Sequence, residues 1–301
     1  MLLSQKNYLK YEVRSKLSRI AFVNGQYCDY KKSLVHIEDR GYQFADGVYE
    51  VFTVVDSAIV DYYAHLNRLF KSLSELKIKS PISKKTYIYH IRNIIKKNMI
   101  INGTVYLQVT RGVASRDFKY PVNIKSSITI IGKITSTDLF NKNIINGINV
   151  KTTKDLRWKR CDIKSLNLLP PVLAKQHAYE HNSTEAWLLD ENNFITEGSS
   201  STAWILDKNN ILRTASLKNN ILAGITRESF IKGLKKNKVK FVESSFKMKD
   251  IKSAKEAFIT SATTFVTPVN KVDNFKIGNG KPGKFAPIFL NIYKKAINLQ
   301  S

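Results

Sequence analysis

Lys164 sits in Cys161-Asp162-Ile163-Lys164-Ser165-Leu166, ahead of an apolar run. An ammonium group in such a place is expensive to bury unless it is paired or deprotonated. A desolvated lysine is a Schiff-base nucleophile, and the same position equally suits a lysine at a strand end whose amine reaches solvent. Glu197 closes an apolar strand and precedes Gly198-Ser199-Ser200-Ser201. Its carboxylate is suited either to a cationic ring nitrogen or to starting a turn. In Gly224-Ile225-Thr226-Arg227, glycine permits close backbone approach. The free amides of the following helix and the Thr226 hydroxyl then make a phosphate-type anion pocket. The competing reading is an ordinary helix start with Thr226 as N-cap. Ser261, Thr263 and Thr264 form a second hydroxyl-rich turn, either another phosphate contact or a turn that bonds its own backbone. Arg68, on the polar side of a helix, is in sequence reach of the same anion or simply solvated.

Other chemistries are poorly served. The five histidines, His36, His65, His90, His177 and His181, show no triad pattern, and His177 and His181 lack a further ligand for a metal. No metal site is expected. Gly278-Asn279-Gly280-Lys281-Pro282-Gly283-Lys284 lacks the spacing of a nucleotide loop. Cys28 and Cys161 are far apart, which suits a reducing compartment, so the cytoplasm is the expected location. The formal net charge of +25 raises nucleic acid as a partner. Lysine outnumbers arginine more than three to one, however, and is spread along the chain without a basic stripe. Base reading favours arginine, so a solvated surface and no nucleic-acid partner are expected. Apolar runs are too short to span a bilayer, and the first 19 residues read as a polar extension without a signal-type apolar centre.

These candidates must be positioned by elements that the pattern predicts. Short strands are expected at Ile20–Val23 and Ser33–Ile37, and a hairpin at Val48–Asp61 turning on Asp56-Ser57. Leu66, Leu69, Phe70, Leu73 and Leu76 recur at helical spacing between Tyr63 and Ile78, and a second helix follows from Ser83 to Met99. Strands are expected from Gly103, ending at Arg111-Gly112, and at 128–134, and the polar stretch 135–146 reads as a linker. Beyond it come a strand at 148–153, a helix over 166–181 whose Pro170 and Pro171 fall in or before the first turn if it begins late, hairpins over 185–197 and 203–214, a helix from Arg227, a strand at 257–260, and a terminal helix from Lys284. Blocks of strands and helices without strict alternation point to an α+β fold.

In their order along the chain, Ile37-Glu38-Asp39-Arg40-Gly41-Tyr42-Gln43-Phe44-Ala45-Asp46-Gly47-Val48-Tyr49-Glu50, His65-Leu66-Asn67-Arg68-Leu69, Gln108-Val109-Thr110-Arg111-Gly112, Arg157 through Leu169, Thr196-Glu197-Gly198-Ser199-Ser200-Ser201 and Gly224-Ile225-Thr226-Arg227 form a recognisable set. The set resembles the D-amino acid aminotransferases, class IV enzymes of fold type IV that use pyridoxal 5′-phosphate. It spans about residues 20–290. The resemblance implies a two-domain fold: an N-terminal extension (1–19), a smaller α/β sandwich-like domain (20–134), a linker (135–146) and a larger β-rich cofactor-binding domain (147–301). It implies that Lys164 bonds the cofactor and shuttles a proton, and that Glu197 keeps the pyridine nitrogen protonated. It further implies that Arg68, Gly224, Ile225, Thr226, Ser261 and Ala262 surround the phosphate and that Leu222 lies on the ring face. Tyr42 and Arg116 are implied to capture the substrate carboxylate, Arg116 reaching in from the second subunit of a homodimer.

Three positions depart from the family pattern. Arg-x-His becomes Arg116-Asp117-Phe118, so Phe118 stands where a donor is usual; Ala262 replaces a threonine; and Thr202 replaces an asparagine after the serine run. The implied reaction is D-alanine plus 2-oxoglutarate to pyruvate plus D-glutamate. Within the fold, a branched-chain L-amino acid aminotransferase is the nearest alternative and aminodeoxychorismate lyase a further one. A basic nucleic-acid-binding protein on an inactive fold is the alternative from another class.

Overall fold

The computed structural model describes residues 19–135, 137–218, 220–297 and 299–300, so the polar extension read from the first residues lies almost wholly outside the described residues. Residues Gly47–Val55 (β3) are almost all β-branched or aromatic, and they form the strand on which the first sheet is built. β3 turns through Asp56-Ser57, both with positive φ, into Ala58–Val60 (β4), so the expected hairpin is present. On its other edge β3 pairs in unbroken antiparallel register with Gly103–Thr110 (β5), from Gly47 opposite Thr110 to Val54 opposite Gly103. Ser127–Ile134 (β6), Ile20–Val23 (β1) and Gln26–Asp29 (β2) extend the sheet, and Leu299–Gln300 (β17) adds to β4, giving the order β17-β4-β3-β5-β6-β1-β2. The helices Tyr62–Glu75 and Lys84–Lys97 lay Leu66, Leu69 and Leu73, and Tyr87, Ile91 and Ile94, on the Phe52, Val105 and Leu107 face.

The second sheet contains Ile148–Lys154 (β7), Glu185–Leu189 (β8), Phe194–Gly198 (β9), Thr202–Leu206 (β10) and Leu212–Thr214 (β11). It continues with Phe241–Glu243 (β12), Phe246–Lys247 (β13), Glu256–Ser261 (β14), Phe265–Val272 (β15) and Phe275–Lys276 (β16). Its order is β12-β11-β10-β14-β15-β7-β8-β9-β13, with β16 on β15. β7 and β8 are parallel, so the chain between them must cross over, and it does so through the helix Leu169–Glu180. That helix starts late, with proline in its first turn, where no amide is needed. The helices Ile225–Lys236 and Phe285–Ala296 cover Trp204 and Phe258 with Phe230, Leu234 and Phe289. The architecture is α+β.

Two expectations need correction, and one hairpin goes beyond them. Ser33–Ile37 is not a strand: Leu34, Val35 and Ile37 are exposed and find no neighbour in the sheet, because β2 takes the place beside β1. The β1–β2 hairpin carries an Asn24-Gly25 turn, both residues at positive φ, a signal absent from the expectations above. The stretch expected as a linker is helical from Thr137 to Asn146, although it still leads from β6 of one sheet to β7 of the other.

Candidate active site

The crossover between β7 and β8 carries Lys164, and the loop is stitched to the first sheet. Tyr49 N–H donates to the Lys164 carbonyl at 3.1 Å, Leu166 N–H to the Gly47 carbonyl at 3.0 Å, and Lys164 N–H to Ser72 Oγ at 3.2 Å. A Cβ on Gly47 would lie 2.8 Å from Leu166 Cδ1 and 2.6 Å from the Val109 carbonyl, so only glycine lets the loop sit this close. Strand alternation turns Val48, Glu50 and Phe52 toward the helices and leaves Tyr49 and Val51 on a cavity of about 230 Å3 between the sheets. Lys164 Nζ lies 4.2 Å from the centre of the Tyr49 ring.

The same cavity is lined by Arg68, Glu197, Leu222, Gly224, Ile225, Thr226, Ser261 and Ala262, so every residue implied for the cofactor reaches one space. Arg68 is aimed by Glu50, which is fully buried and accepts from Arg68 Nε at 2.7 Å and Nη2 at 2.8 Å. His65 Nδ1 donates to the same carboxylate at 2.7 Å, and Arg68 Nη1 to the Ala223 carbonyl at 2.9 Å. Burial pushes the Glu50 carboxyl up, and the guanidinium and imidazole overcome it and hold it at about 2. Glu50 and His65 had been given no role from sequence; the signal was a glutamate on the helix-facing side of β3 opposite two basic residues three apart on a helix.

Such a carboxyl contributes stability that is full above its unfolded value of 4.5 and is lost as pH falls toward 2. The difference is worth about 3 kcal/mol. Glu50→Gln is therefore expected to be less stable than the parent at neutral pH and to lose that part of the acid dependence, as read from urea unfolding at several pH values. Parallel stability–pH curves for the two proteins would remove Glu50 from this role.

Glu197 is buried on β9. Its Oε1 accepts from Arg157 Nη1 and, at 3.1 Å, from Leu222 N–H. Burial pushes its carboxyl up, and Arg157 and the Leu222 amide pull against that. The serines that follow also line the cavity, but their hydroxyls are spent on Glu185. Ser199 donates to Glu185 Oε1, and Ser200 and Ser201 to its Oε2 at 3.2 and 3.0 Å, so the run is clamped around a buried carboxylate that Lys175 also reaches at 3.1 Å.

Gly224, not Thr226, is the N-cap of the helix Ile225–Lys236, so Thr226 lies in the first turn, whose opening residues line the cavity and whose first amides have no partner within the helix. In the turn from β14 to β15, Ser261 Oγ bonds Thr264 Oγ1 at 2.7 Å and accepts from Thr264 N–H at 3.2 Å, while the Ala262 carbonyl accepts from Thr53 Oγ1. Two amide-rich turns thus converge with one arginine, a donor set for a phosphate dianion; a buried carboxylate, an amine and the apolar Leu222 line the rest. These features fit pyridoxal phosphate.

The carboxylate-capturing residues are not there. Tyr42 is 76% exposed on the short helix Arg40–Phe44 and stands outside the cavity; the tyrosine that lines it is Tyr49, seven residues on. Arg116 and Phe118 also lie outside, grouped on Phe44: the Arg116 guanidinium is 4.6 Å and the Phe118 ring 5.5 Å from its centre. Among the described residues, no cluster of histidine, cysteine, aspartate and glutamate has the makings of a metal site, and no helix is long and apolar enough to cross a membrane.

Residues 47–272 match the family model for class IV amino-transferases. The D-alanine aminotransferase of Staphylococcus haemolyticus is 38% identical over 264 residues, 87% of this chain and 92% of that one. In backbone, the branched-chain amino acid aminotransferase of Escherichia coli superposes with a TM-score of 0.81 at 21% identity, covering 91% of this chain and 92% of that one. A hypothetical aminotransferase from Mycobacterium tuberculosis, solved in its PLP-bound form, gives 0.79 at 16% identity over 92% and 98%. At these identities the structural likeness speaks for the fold alone.

Proposed function

The chain belongs to the class IV aminotransferase family, and on that premise we propose that it exchanges amino groups between D-amino acids and 2-oxo acids on pyridoxal phosphate carried by Lys164. The observation that carries the reading is the convergence of Lys164, Glu197, Arg68 and the turn at Gly224–Thr226 on one cavity, in a chain 38% identical to a D-alanine aminotransferase. The favoured pair is D-alanine with 2-oxoglutarate, giving pyruvate and D-glutamate. When bound, the cofactor supplies an aldehyde that bonds the substrate amine and a ring that accepts electrons from Cα.

The protein's own residues supply the rest. Lys164 Nζ, steadied over the Tyr49 ring, takes the proton from substrate Cα and returns it on the far side of the exchange. Glu197 holds a proton on the ring nitrogen. Arg68, the amides opening the helix at Ile225 and Thr226, the Thr226 hydroxyl and the turn at Ser261-Ala262 hold the phosphate, and Leu222 excludes water from one ring face. Tyr49 takes the carboxylate role first assigned to Tyr42.

Arg116 completes the site from a second copy of the chain. Support for a homodimer lies in two segments, 34–42 and 113–122, joined by the Ala114 amide on the Glu38 carbonyl, which expose Leu34, Ile37, Tyr42, Phe118 and Val122 together. Both cysteines are free, which suits the cytoplasm.

The test is a visible spectrum of the purified holoenzyme as single amino acids are added. D-alanine or D-glutamate is expected to convert it to the amino form faster than any L-isomer. A faster half-reaction with L-leucine or L-valine would transfer the chain to the branched-chain group.

A further inference from the structure

Beside the cavity runs a chain of polar side chains that the proposed reaction leaves without a role. Arg157 follows β7 and donates from Nε to Asp155 Oδ1 at 2.9 Å and from Nη2 to Asp155 Oδ2 at 2.7 Å. Thr196 Oγ1, on β9, donates to that same Oδ2 at 2.9 Å. The remaining arm, Nη1, meets Glu197 Oε1, which also accepts the Leu222 amide. Both bonds thus fall on one oxygen. The described residues offer no donor to Oε2 of Glu197.

A guanidinium gripped in parallel by a carboxylate cannot rotate, because both bonds would break together. Asp155 therefore fixes the plane of Arg157, and Arg157 fixes the plane of Glu197. We propose that Arg157 is a positioning residue, locked by Asp155 and Thr196, which pins one oxygen of Glu197 and so directs the other, as an anion, at the ring nitrogen of bound pyridoxal phosphate. The inference rests on the cofactor reading above.

Charge as well as direction is at stake. Burial favours the neutral acid at Glu197, and Arg157 is the first of the forces opposing it. The other charged or titratable groups facing Glu197 are Asp155 and Cys161 from the loop after β7, Arg68 from the helix Tyr62–Glu75, and Lys164 across the cavity. Glu185 on the adjoining β8 is occupied by the three serines. Without Arg157 the buried acid holds its proton to a higher pH. A neutral carboxyl then meets the ring nitrogen as a donor, the reverse of what the reaction needs.

The experiment compares the dissociation constants of pyridoxal phosphate and of its deaza analogue, which has carbon in place of the ring nitrogen, by absorbance across the neutral range. It uses the parent protein, Arg157→Gln, Arg157→Lys, and the double variant Arg157→Gln with Asp155→Asn. The double variant removes the guanidinium together with its buried counter-charge, so the fold is spared an unpaired ion if the single variant is unstable.

The parent is expected to prefer pyridoxal phosphate throughout. In Arg157→Gln and the double variant that preference should fall about tenfold at the acid end and recover as pH rises. Arg157→Lys, which keeps one cationic N–H, should lie between. Preference–pH curves superimposable on the parent's overturn the inference. Failure of the parent to bind pyridoxal phosphate at all would instead overturn the cofactor reading.

Discussion

Lys164→Ala will keep its fold and transaminate about 10⁴-fold more slowly or worse, because a single amine is asked both to carry the cofactor and to move the Cα proton. The fold should survive because what holds the loop is backbone: the Lys164 carbonyl accepts from Tyr49 N–H and its amide donates to Ser72. Among the described residues, the only polar or ring contact of its amine is with Tyr49. Borohydride reduction of the parent, followed by peptide mapping, is expected to put the cofactor on the peptide containing Lys164. A label on another of the many lysines, or an active Lys164→Ala protein, would sink the assignment.

The second large effect is a recovery. Lys164→Ala and Arg116→Ala proteins should each be inactive and should regain activity when mixed under conditions that exchange subunits. In a two-fold dimer with shared sites, random exchange makes half the dimers mixed, each with one intact site, so activity should climb to about a quarter of the parent's. The reason for expecting Arg116 in trans is its place: it is held on Phe44, outside the cavity that holds Lys164, in a loop anchored where Arg40 Nη1 donates to the Asp117 carbonyl at 2.6 Å. If exchange is demonstrated by mass and no activity returns, Arg116 does not serve the neighbouring site.

What could be read before the fold was known follows from what is local. Leu66, Leu69 and Leu73 announce a helix because the period is carried by the residues themselves, and Asp56-Ser57 announces a hairpin between two β-rich runs. Ser33–Ile37 has the composition of a strand and lacks a neighbour to pair with, a matter decided by β2 taking the edge. Thr226 looked like a cap because threonine often is one, whereas the helix begins at Ile225, two residues before Arg227.

The site divided along the same line. Lys164, Glu197 and the turn at Gly224 stood out through their immediate neighbours in sequence. Choosing between Tyr42 and Tyr49 required knowing that Gly47 starts a strand whose alternation sends Tyr49 toward the cavity and Glu50 toward the helix. The roles of Glu50 and Arg157 belong to pairs of ions, and Glu50 meets Arg68 at 18 residues' separation, Arg157 meets Glu197 at 40. No window of sequence shows such a pair.

The stitching of the Lys164 loop onto β3 has a consequence for a chain still being synthesised. Tyr49 must wait for residue 164 to reach it, and Thr53 for the Ala262 carbonyl, a partner 209 residues later. The first sheet can pair β3 with β5 and bury its leucines long before that. Until the second sheet has formed, the cavity therefore has only one wall, and nothing resembling the finished site exists to capture a reactive aldehyde. Contacts this distant are slow to close, and the ability to hold a cofactor marks the arrival of the second sheet.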